Sequence, residues 1–497
     1  MLNDRANGTL SPPYMRRSLA LLVVLVLWGL MTHGSYAGSG DEPHYMMIAH
    51  SLAFDHDLDL TNDYENPHNL ALGGRVEPGA HIQPGKDGRL RPVHDIGMPV
   101  LFTPYYALAY EVTEKIVGYA PEGWLRRARL NFTVTLRHLL SLAMIALTAW
   151  MSACLFTVFM DMSNHSTRAF GWAALLTLSP PILSHSFLFF TEILSACIAF
   201  RVFVWLRGSP ASRAASLLAG AAVGYLFLVH ARNIGLIAAL LALAIYRSRR
   251  WSNGSALLVW FLSGAAALFI MRTAVTYYLW GTWVTTPHAR LEVVAGWQPF
   301  VTESLTRLAG WLFDQEHGLL PYAPIYLLLP VGWISLWRID PELCGEISIM
   351  IVAYVGVMTV PALNPHGWRG GWAPAARFLM PVAPLLSILV FGAVAHARRF
   401  PLFVGALALV QICLDAILWQ RPKLLWNDGT GTSSLLTYLD RGTGLLSTHV
   451  PSLLPPIGWR TITMIAVSAI GWALLTWWLA RGLGSAHRPR TTDVNVA

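Results

Sequence analysis

Leu139 to Met160 reads LLSLAMIALTAWMSACLFTVFM, an unbroken apolar run without a single charge. A bilayer's hydrocarbon layer is about 30 Å thick, and a helix needs about 20 apolar residues to cross it. The run therefore predicts a transmembrane helix, and the rest of the chain repeats the pattern. Further apolar runs lie at 18–36, 169–184, 190–206, 214–229, 232–246, 255–279, 319–337, 344–361, 379–396, 401–419 and 460–480, making twelve in all. Charged residues are 12% of the 497, whereas an average soluble protein carries about 25%. That deficit excludes a disordered chain and argues against two or three soluble domains. The expected fold is an all-α polytopic membrane protein with about twelve spans, a single domain over 1–497.

The net charge of +8 matters less than where each sign sits. With the N-terminus placed inside, the even-numbered connections and both tails hold Arg16, Arg17, Arg168, Arg207, Arg247, Arg250 and Arg481 among others, with few acids beyond Asp161, Asp340, Glu342 and Glu346. The positive-inside rule then puts both termini in the cytoplasm and the acid-rich connections outside. Only three cations are lysine (Lys86, Lys115, Lys423), which together with 21 tryptophans suggests a GC-rich bacterial source and hence a bacterial inner membrane. The basic balance reports orientation, so nucleic acid is not expected as a partner. The four cysteines lie in apolar runs without metal spacing and read as small core residues. A competing reading makes the first segment a cleaved signal peptide, with Ser35-Tyr36-Ala37 before Gly38; the residues after Ala37 lie outside under either reading.

The first outer connection, 38–138, is the longest, and thirteen of the 27 acids fall between Asp41 and Glu122. It opens Gly38-Ser39-Gly40-Asp41-Glu42-Pro43-His44-Tyr45. Pro43 suits the first position of a helix, which makes Glu42 the N-cap and sets Asp41 just before it. Tyr45, Ile48, Ala49, Leu52 and Ala53 recur at helical spacing, predicting a helix lying in the interface. Adjacent helical side chains diverge by about 100°, so only one of Asp41 and Glu42 faces a given cavity. The bland alternative makes both acids helix caps. Asp55-His56-Asp57-Leu58-Asp59 alternates acids, but Leu60 and Asn66 stand where a calcium-binding EF-hand loop needs Gly and Glu.

Several stretches together resemble a GT-C glycosyltransferase of the bacterial protein O-mannosyltransferase-like and lipid A aminoarabinose transferase-like branch. They are Asp41-Glu42-Pro43-His44-Tyr45 after the first run, Asp57 to Tyr64, His94-Asp95-Ile96-Gly97-Met98-Pro99, Phe190-Thr191-Glu192, Phe313 to Pro324, and Gly370 to Pro381 with Arg377-Phe378 inside it. The resemblance runs from about Arg16 to Pro384. It implies a multi-span helical core with interfacial helices in the first loop. It also implies inverting transfer of a sugar from a polyprenyl-phosphate carrier to an acceptor hydroxyl outside, the acceptor being a glycan, glycolipid or protein. The family's catalytic aspartate maps onto Asp41, with Glu42 beside it. Aminoarabinose transferases carry a large soluble domain after the last span; only about 17 residues follow it here, so a complex acceptor-recognition module is not expected.

The chemistry fits these residue types. A carboxylate accepts a proton late, as an alcohol attacks an oxocarbenium-like carbon, and the leaving phosphate needs cations more than a general acid. Arg232, between two barely sufficient runs, and Arg377, an arginine on the side that the positive-inside rule disfavours, are the expected phosphate ligands, with Lys86 and Lys115 behind them. Arg232 has the alternative of snorkelling to headgroups. Glu192 is a second carboxylate or a helix-start acid. His44, Tyr45, Asp314, His317, Tyr322 and His366 are candidate sugar or acceptor contacts, and membrane lipid is a further partner. A divalent cation is left open and no other cofactor is indicated. The late connection, 421–459, is either an acceptor-facing lid or a passive loop. The rival readings are a transporter or flippase of a lipid-linked or anionic substrate, for which no inverted repeat is visible, and a non-catalytic assembly factor.

Overall fold

The computed structural model describes residues 12–32, 40–65, 79, 81–128, 130–208, 210, 212–283, 297–360, 368–396, 400–455 and 457–481. His366, Asn66 and the Ser35-Tyr36-Ala37 sequence lie outside the described residues. The chain opens with α1 (Pro12–Thr32), α2 (Glu42–His50, widening into one looser turn to Asp55) and α3 (Thr61–Glu65). A small antiparallel hairpin follows, β1 (Ile82–Pro84) and β2 (Leu90–Pro92), pairing Ile82 with Pro92. Then come α4 (Gly97–Tyr119), α5 (Glu122–Ala128), α6 (Phe132–Ser163), α7 (Ser166–Thr177), α8 (Ile182–His185), α9 (Thr191–Arg207), α10 (Arg213–Val229), α11 (Ile234–Ser248) and α12 (Gly254–Trp280). The second half holds α13 (Trp297–Phe313), α14 (Leu329–Ile339), α15 (Pro341–Thr359), α16 (Ala383–His396), α17 (Pro401–Gln420), α18 (Ser434–Asp440), α19 (Leu445–His449) and α20 (Trp459–Arg481).

The protein is a polytopic helical membrane protein, and each of the twelve apolar runs contains helix. Among the described residues, seven helical segments are long and apolar enough to cross a membrane: Phe132–Ser163, Ala231–Ser248, Gly254–Trp280, Pro341–Thr359, Arg377–Ala395, Pro401–Gln420 and Trp459–Arg481. Arg17–Thr32, Arg213–Val229 and Pro324–Ile339 are apolar but shorter. Two of the twelve runs, the third and the fourth, are not among these segments. The third run breaks after Thr177 and restarts at Ile182, because Pro180 and Pro181 supply no amide hydrogen to continue the ladder. The fourth, α9, carries Glu192, Arg201 and Arg207 within 17 residues.

Close helix packing uses small residues, as expected where no hydrophobic drive separates helix from lipid. Gly220 and Gly224 of α10 face Gly264 of α12 so tightly that a Cβ on Gly220 would lie 1.8 Å from the Phe261 carbonyl oxygen. The segment 377–395 is almost wholly buried and stands with α9 at the centre of the bundle, while α20 buries only Leu479.

The two ends of the bundle are charged differently. Where α9 and α11 finish and α15 begins, Arg207, Arg247 and Arg250 meet Asp340, Glu342 and Glu346. The Arg207 guanidinium pairs with Glu346, Arg247 Nε lies 2.5 Å from Glu346 Oε1, and Arg250 Nη1 lies 2.5 Å from Glu342 Oε1. Asp340, Glu342 and Glu346, three of the four acids named among these otherwise basic connections, are thus counter-ions of their arginines. Glu346→Ala removes the carboxylate shared by buried Arg247 and half-buried Arg207, leaving them only Glu342 and Asp340 at 3.5 Å, and is expected to cost about 3 kcal/mol. A thermal unfolding midpoint in detergent clearly below wild type checks this; an unchanged midpoint refutes it.

Candidate functional site

At the opposite end, four charged side chains from four separate segments meet. α1 turns into α2 through Gly40, whose φ of +33° and close approach to the Trp372 carbonyl (a Cβ would sit 2.9 Å from that oxygen) exclude a side chain. The N-cap is Asp41, and Glu42 begins the helix, one residue earlier than the Pro43 position suggested. Arg377 follows a loop in which Gly370, Gly371 and Ala376 all adopt positive φ, bending the chain back so that the guanidinium points inward. Its Nη2 lies 2.5 Å from Asp41 Oδ2, its Nε 2.7 Å from Glu192 Oε1, and its Nη1 donates to the Gly370 carbonyl at 2.8 Å. Glu192 is wholly buried at the start of α9, and its Oε1 also meets Arg232 Nη2 at 2.5 Å. The planar faces are covered too: Phe190 lies under Arg377 at 4.5 Å, and Phe378 lies under Arg232 at 5.2 Å. Asp41 keeps partial access, with 23% of its side chain exposed, so it is the member open to an incoming group.

Burial alone would raise the Asp41 carboxyl, but the charge of Arg377, with His94, the Arg377 hydrogen bond and His81 adding to it, holds it well below the usual carboxylate range. Asp41 therefore stays ionised at any physiological pH. Tyr45 is fully buried beside the cluster, and burial plus the charges of Asp41 and Glu192 push its hydroxyl far up. Arg232 Nε is buried without a hydrogen-bond partner, an orphan donor in a site otherwise saturated with bonds.

A second layer holds this cluster. Asp95 accepts a hydrogen bond from the Ala231 amide at 2.8 Å and lies 3.5 Å from both His230 Nδ1 and Arg272 Nη2. This fixes the short 231–233 turn between α10 and α11 that presents Arg232. Arg272 is buried in the apolar helix α12, against the Phe227 ring at 4.4 Å. The hairpin brings in histidines. His81 Nδ1 and His94 Nε2 share a hydrogen bond of 2.8 Å, and His44 stacks on His81 with ring centroids 3.5 Å apart while its Nδ1 meets the Tyr64 hydroxyl at 2.5 Å. Burial and the neighbouring His81 push His44 down to about 3, so it is neutral. Asp41, His81 and His94 offer ligand atoms all within 4.8 Å of one another, two imidazoles and a carboxylate of the kind that holds zinc or a similar divalent ion with one position open.

Of the residues expected from sequence, Asp41, Glu192, Arg232 and Arg377 are brought into one cluster, with Tyr45 and His44 beside it. The others are placed elsewhere. Glu42 turns away, and its Oε1 accepts from the Phe189 amide at 3.1 Å. Lys86 covers the Tyr277 ring at 4.3 Å. Lys115 is exposed far along α4, about 27 Å of helix from Gly97. Asp314 binds the Glu316, His317 and Leu453 amides, and Tyr322 bonds Ser433 and Asn427. These side chains tie the turn after α13 to the late connection, which is further pinned by Glu316 on the Thr430 and Gly431 amides and by a bridge between Pro374 and Trp426. His317 is buried in that turn, edge-on to Trp368 at 6.1 Å, without a hydrogen bond on either ring nitrogen. The sequence reading missed His81, Asp95, Arg272 and His185. Arg272 carried a signal, a lone charge in mid-span. His185, whose Nδ1 lies 2.9 Å from the Pro181 carbonyl, carried none.

No family model and no curated protein matches the chain. Among solved structures it is similar to ArnT from Cupriavidus metallidurans bound to undecaprenyl phosphate, with 16% identity over 95% of this chain and 74% of that one, and a TM-score of 0.46. It is also similar to the Archaeoglobus fulgidus oligosaccharyltransferase tethered with an acceptor peptide, with 14% identity over 82% of this chain, 54% of that chain's length and a TM-score of 0.37.

One acid of the first loop gives a pH prediction. Asp63 is buried with its Oδ2 unpartnered; burial and the nearby Asp55 push it up to about 7. Its folded pKa lies above its unfolded value, so the native state holds an extra proton between about pH 4 and 7 and loses stability as pH rises through that window. Asp63→Asn is expected to raise the unfolding midpoint at pH 8 and leave it nearly unchanged at pH 4. Equal effects at both pH values refute the assignment.

Proposed function

We propose that the protein is an inverting glycosyltransferase that moves a sugar from a polyprenyl-phosphate carrier to an acceptor hydroxyl at the extracytoplasmic face of a bacterial inner membrane, with Asp41 as general base. The observation carrying this reading is the Arg377 guanidinium held between Asp41 and Glu192, with Arg232 on the same Glu192 and its Nε unpartnered. Two arginines beside a partly open carboxylate supply what the reaction needs: donors for a phosphate oxygen and an acceptor for a hydroxyl proton.

The resting geometry supports one order of events. With Arg377 on it, Asp41 is a weak base. A donor phosphate that draws the Nη donors of Arg377 and fills Arg232 Nε takes that charge away from Asp41 and makes it more basic. The acceptor oxygen then attacks the anomeric carbon as the bond from that carbon to the phosphate oxygen breaks. The hydroxyl proton passes to Asp41, and the carrier phosphate leaves on the two arginines. Glu192 keeps both arginines in place. Asp41, His81 and His94 would hold a divalent cation through one carboxylate oxygen and two ring nitrogens, adding positive charge beside the leaving phosphate.

In membranes supplied with lipid-linked donor, Asp41→Asn is expected to lower transfer about 10²–10⁴-fold. Arg377→Lys, which keeps the charge but loses the fork, is expected to weaken donor binding as well as turnover. Full transfer by Asp41→Asn removes the base assignment, and substrate accumulation in sealed vesicles without glycosylated product favours a transporter. Mass spectrometry of the purified protein is expected to find a co-purifying polyprenyl-phosphate sugar. For the cation site, wild type is expected to bind zinc and His81→Ala with His94→Ala to lose it; equal zinc binding by both refutes the site.

A further inference from the structure

We propose that the cleft behind α20 is a binding site for one acyl chain of an anionic glycerophospholipid. The cleft is about 390 Å³ and lies far from the charged cluster's own residues, between α20 and the turn that follows α13. Phe313, Leu320 and Leu327 form one wall, and Gly471, Trp472 and Leu475 form the other. Val450 and Pro451 of the late connection roof it. α20 touches the bundle through separate aromatic contacts: the Trp472 indole nitrogen donates to the Leu327 carbonyl at 2.8 Å, Phe313 meets Trp472 edge-on at 5.8 Å, and Trp478 packs on Phe400 at 4.5 Å. A Cβ added to Gly471 would find nothing within 4 Å, so the helix stands off its neighbours there.

The occupant follows from where the cleft is and what rims it. Its walls are apolar and one of them belongs to the membrane-crossing helix α20, where hydrocarbon, not water, is the surrounding medium. It is more than twice the volume of the apolar cavity of about 150 Å³ that takes up benzene in water. A flexible chain fills such a space, whereas a peptide would bring backbone groups with nothing to bond. The mouth is basic: His449 lines the cleft, and Arg460 Nη2 donates to the carbonyl of the adjacent Thr448 at 3.1 Å. No acidic residue lines the cleft, and the nearby Asp440 carboxylate already accepts from the Leu446 and Ser447 amides. Exposed Trp459 beside Arg460 sets this end at headgroup depth, where an indole is at home. A phosphate at Arg460 and His449 with a chain along Gly471 satisfies both halves of the site. The bound lipid then fills the gap between α20 and the turn whose Asp314 and Gln315 hold the late connection.

The test uses the full-length protein in nanodiscs of phosphatidylcholine with stepped fractions of phosphatidylglycerol, with bound lipid counted by native mass spectrometry after release. Wild type is expected to retain one phosphatidylglycerol with at least tenfold preference over phosphatidylcholine. Gly471→Trp, which fills the open space, is expected to lose that lipid, and Arg460→Ala is expected to lose the preference while keeping a chain. Gly471→Leu serves as the milder filling variant, with the same expectation, should the tryptophan variant unfold. Equal retention by wild type and both filling variants overturns the site, because only annular lipid is then being counted. Equal retention of both lipids by wild type overturns the anionic assignment, and a lipid-free dimer that Gly471→Trp abolishes shows a second copy to be the occupant and overturns it too.

Discussion

The Arg377 guanidinium is the contact on which the rest depends. It bonds Asp41, 336 residues away in sequence, Glu192, 185 residues away, and the carbonyl of Gly370 in its own loop. A buried guanidinium is tolerated only when its donors are satisfied, and Glu192, shared with Arg232, makes the cluster two cations against two anions. Removing any one leaves an uncompensated charge in a dry place. The demand reaches outward into the backbone. The first loop must turn at a glycine to bring Asp41 in, and the 370–376 loop must take up positive φ at three positions to aim Arg377 inward. Asp95 must hold the break between α10 and α11 so that Arg232 faces Glu192.

The same helices are pinned at their other ends. α9 carries Glu192 in its first turn and ends at Arg207; α11 follows Arg232 and carries Arg247 in its last turn; both arginines close on Glu346 of α15. A helix held at both ends cannot slide along its neighbour without breaking ion pairs, so the register that brings Glu192 to both arginines is set twice. The glycine contacts between α10 and α12 add a close backbone approach that also resists sliding. The two sets of ion pairs and the glycine contacts together hold one partly exposed carboxylate in a fixed place.

The apolar runs were legible because the bilayer imposes a length rule that no tertiary contact overrides. Arg232 and Arg377 stood out for a related reason: each is a charge where the membrane disfavours one. The third run could be located but not measured, since the effect of Pro180 and Pro181 on helix continuity depends on what packs around the break. The resemblance chose Asp41 over Glu42, but spacing alone did not separate the adjacent acids; the position of the Phe189 amide shows where Glu42 goes instead. Asp314 and Tyr322 looked like site residues because polar side chains beside a span invite that reading, yet with Glu316 they bond backbone amides and side chains of the late connection, more than 100 residues on. The histidines of the hairpin were hidden because nothing in 81–94 announces that a two-stranded turn will lay them beside Asp41.

Charge balance ties the two halves of the proposed reaction together. The resting cluster of Asp41, Glu192, Arg232 and Arg377 is neutral, so a carrier phosphate entering it creates a net negative site in a medium that stabilises charge poorly. The acceptor's proton neutralises Asp41 as the phosphate gains a charge on leaving, and so keeps that net charge from growing. A site that could already hold the extra charge, through a third paired arginine for example, would bind donor more tightly but would leave Asp41 permanently weak. The partial exposure of Asp41 and the orphan nitrogen of Arg232 mark the two places where the cluster is incomplete, and they are where a hydroxyl and a phosphate oxygen would complete it.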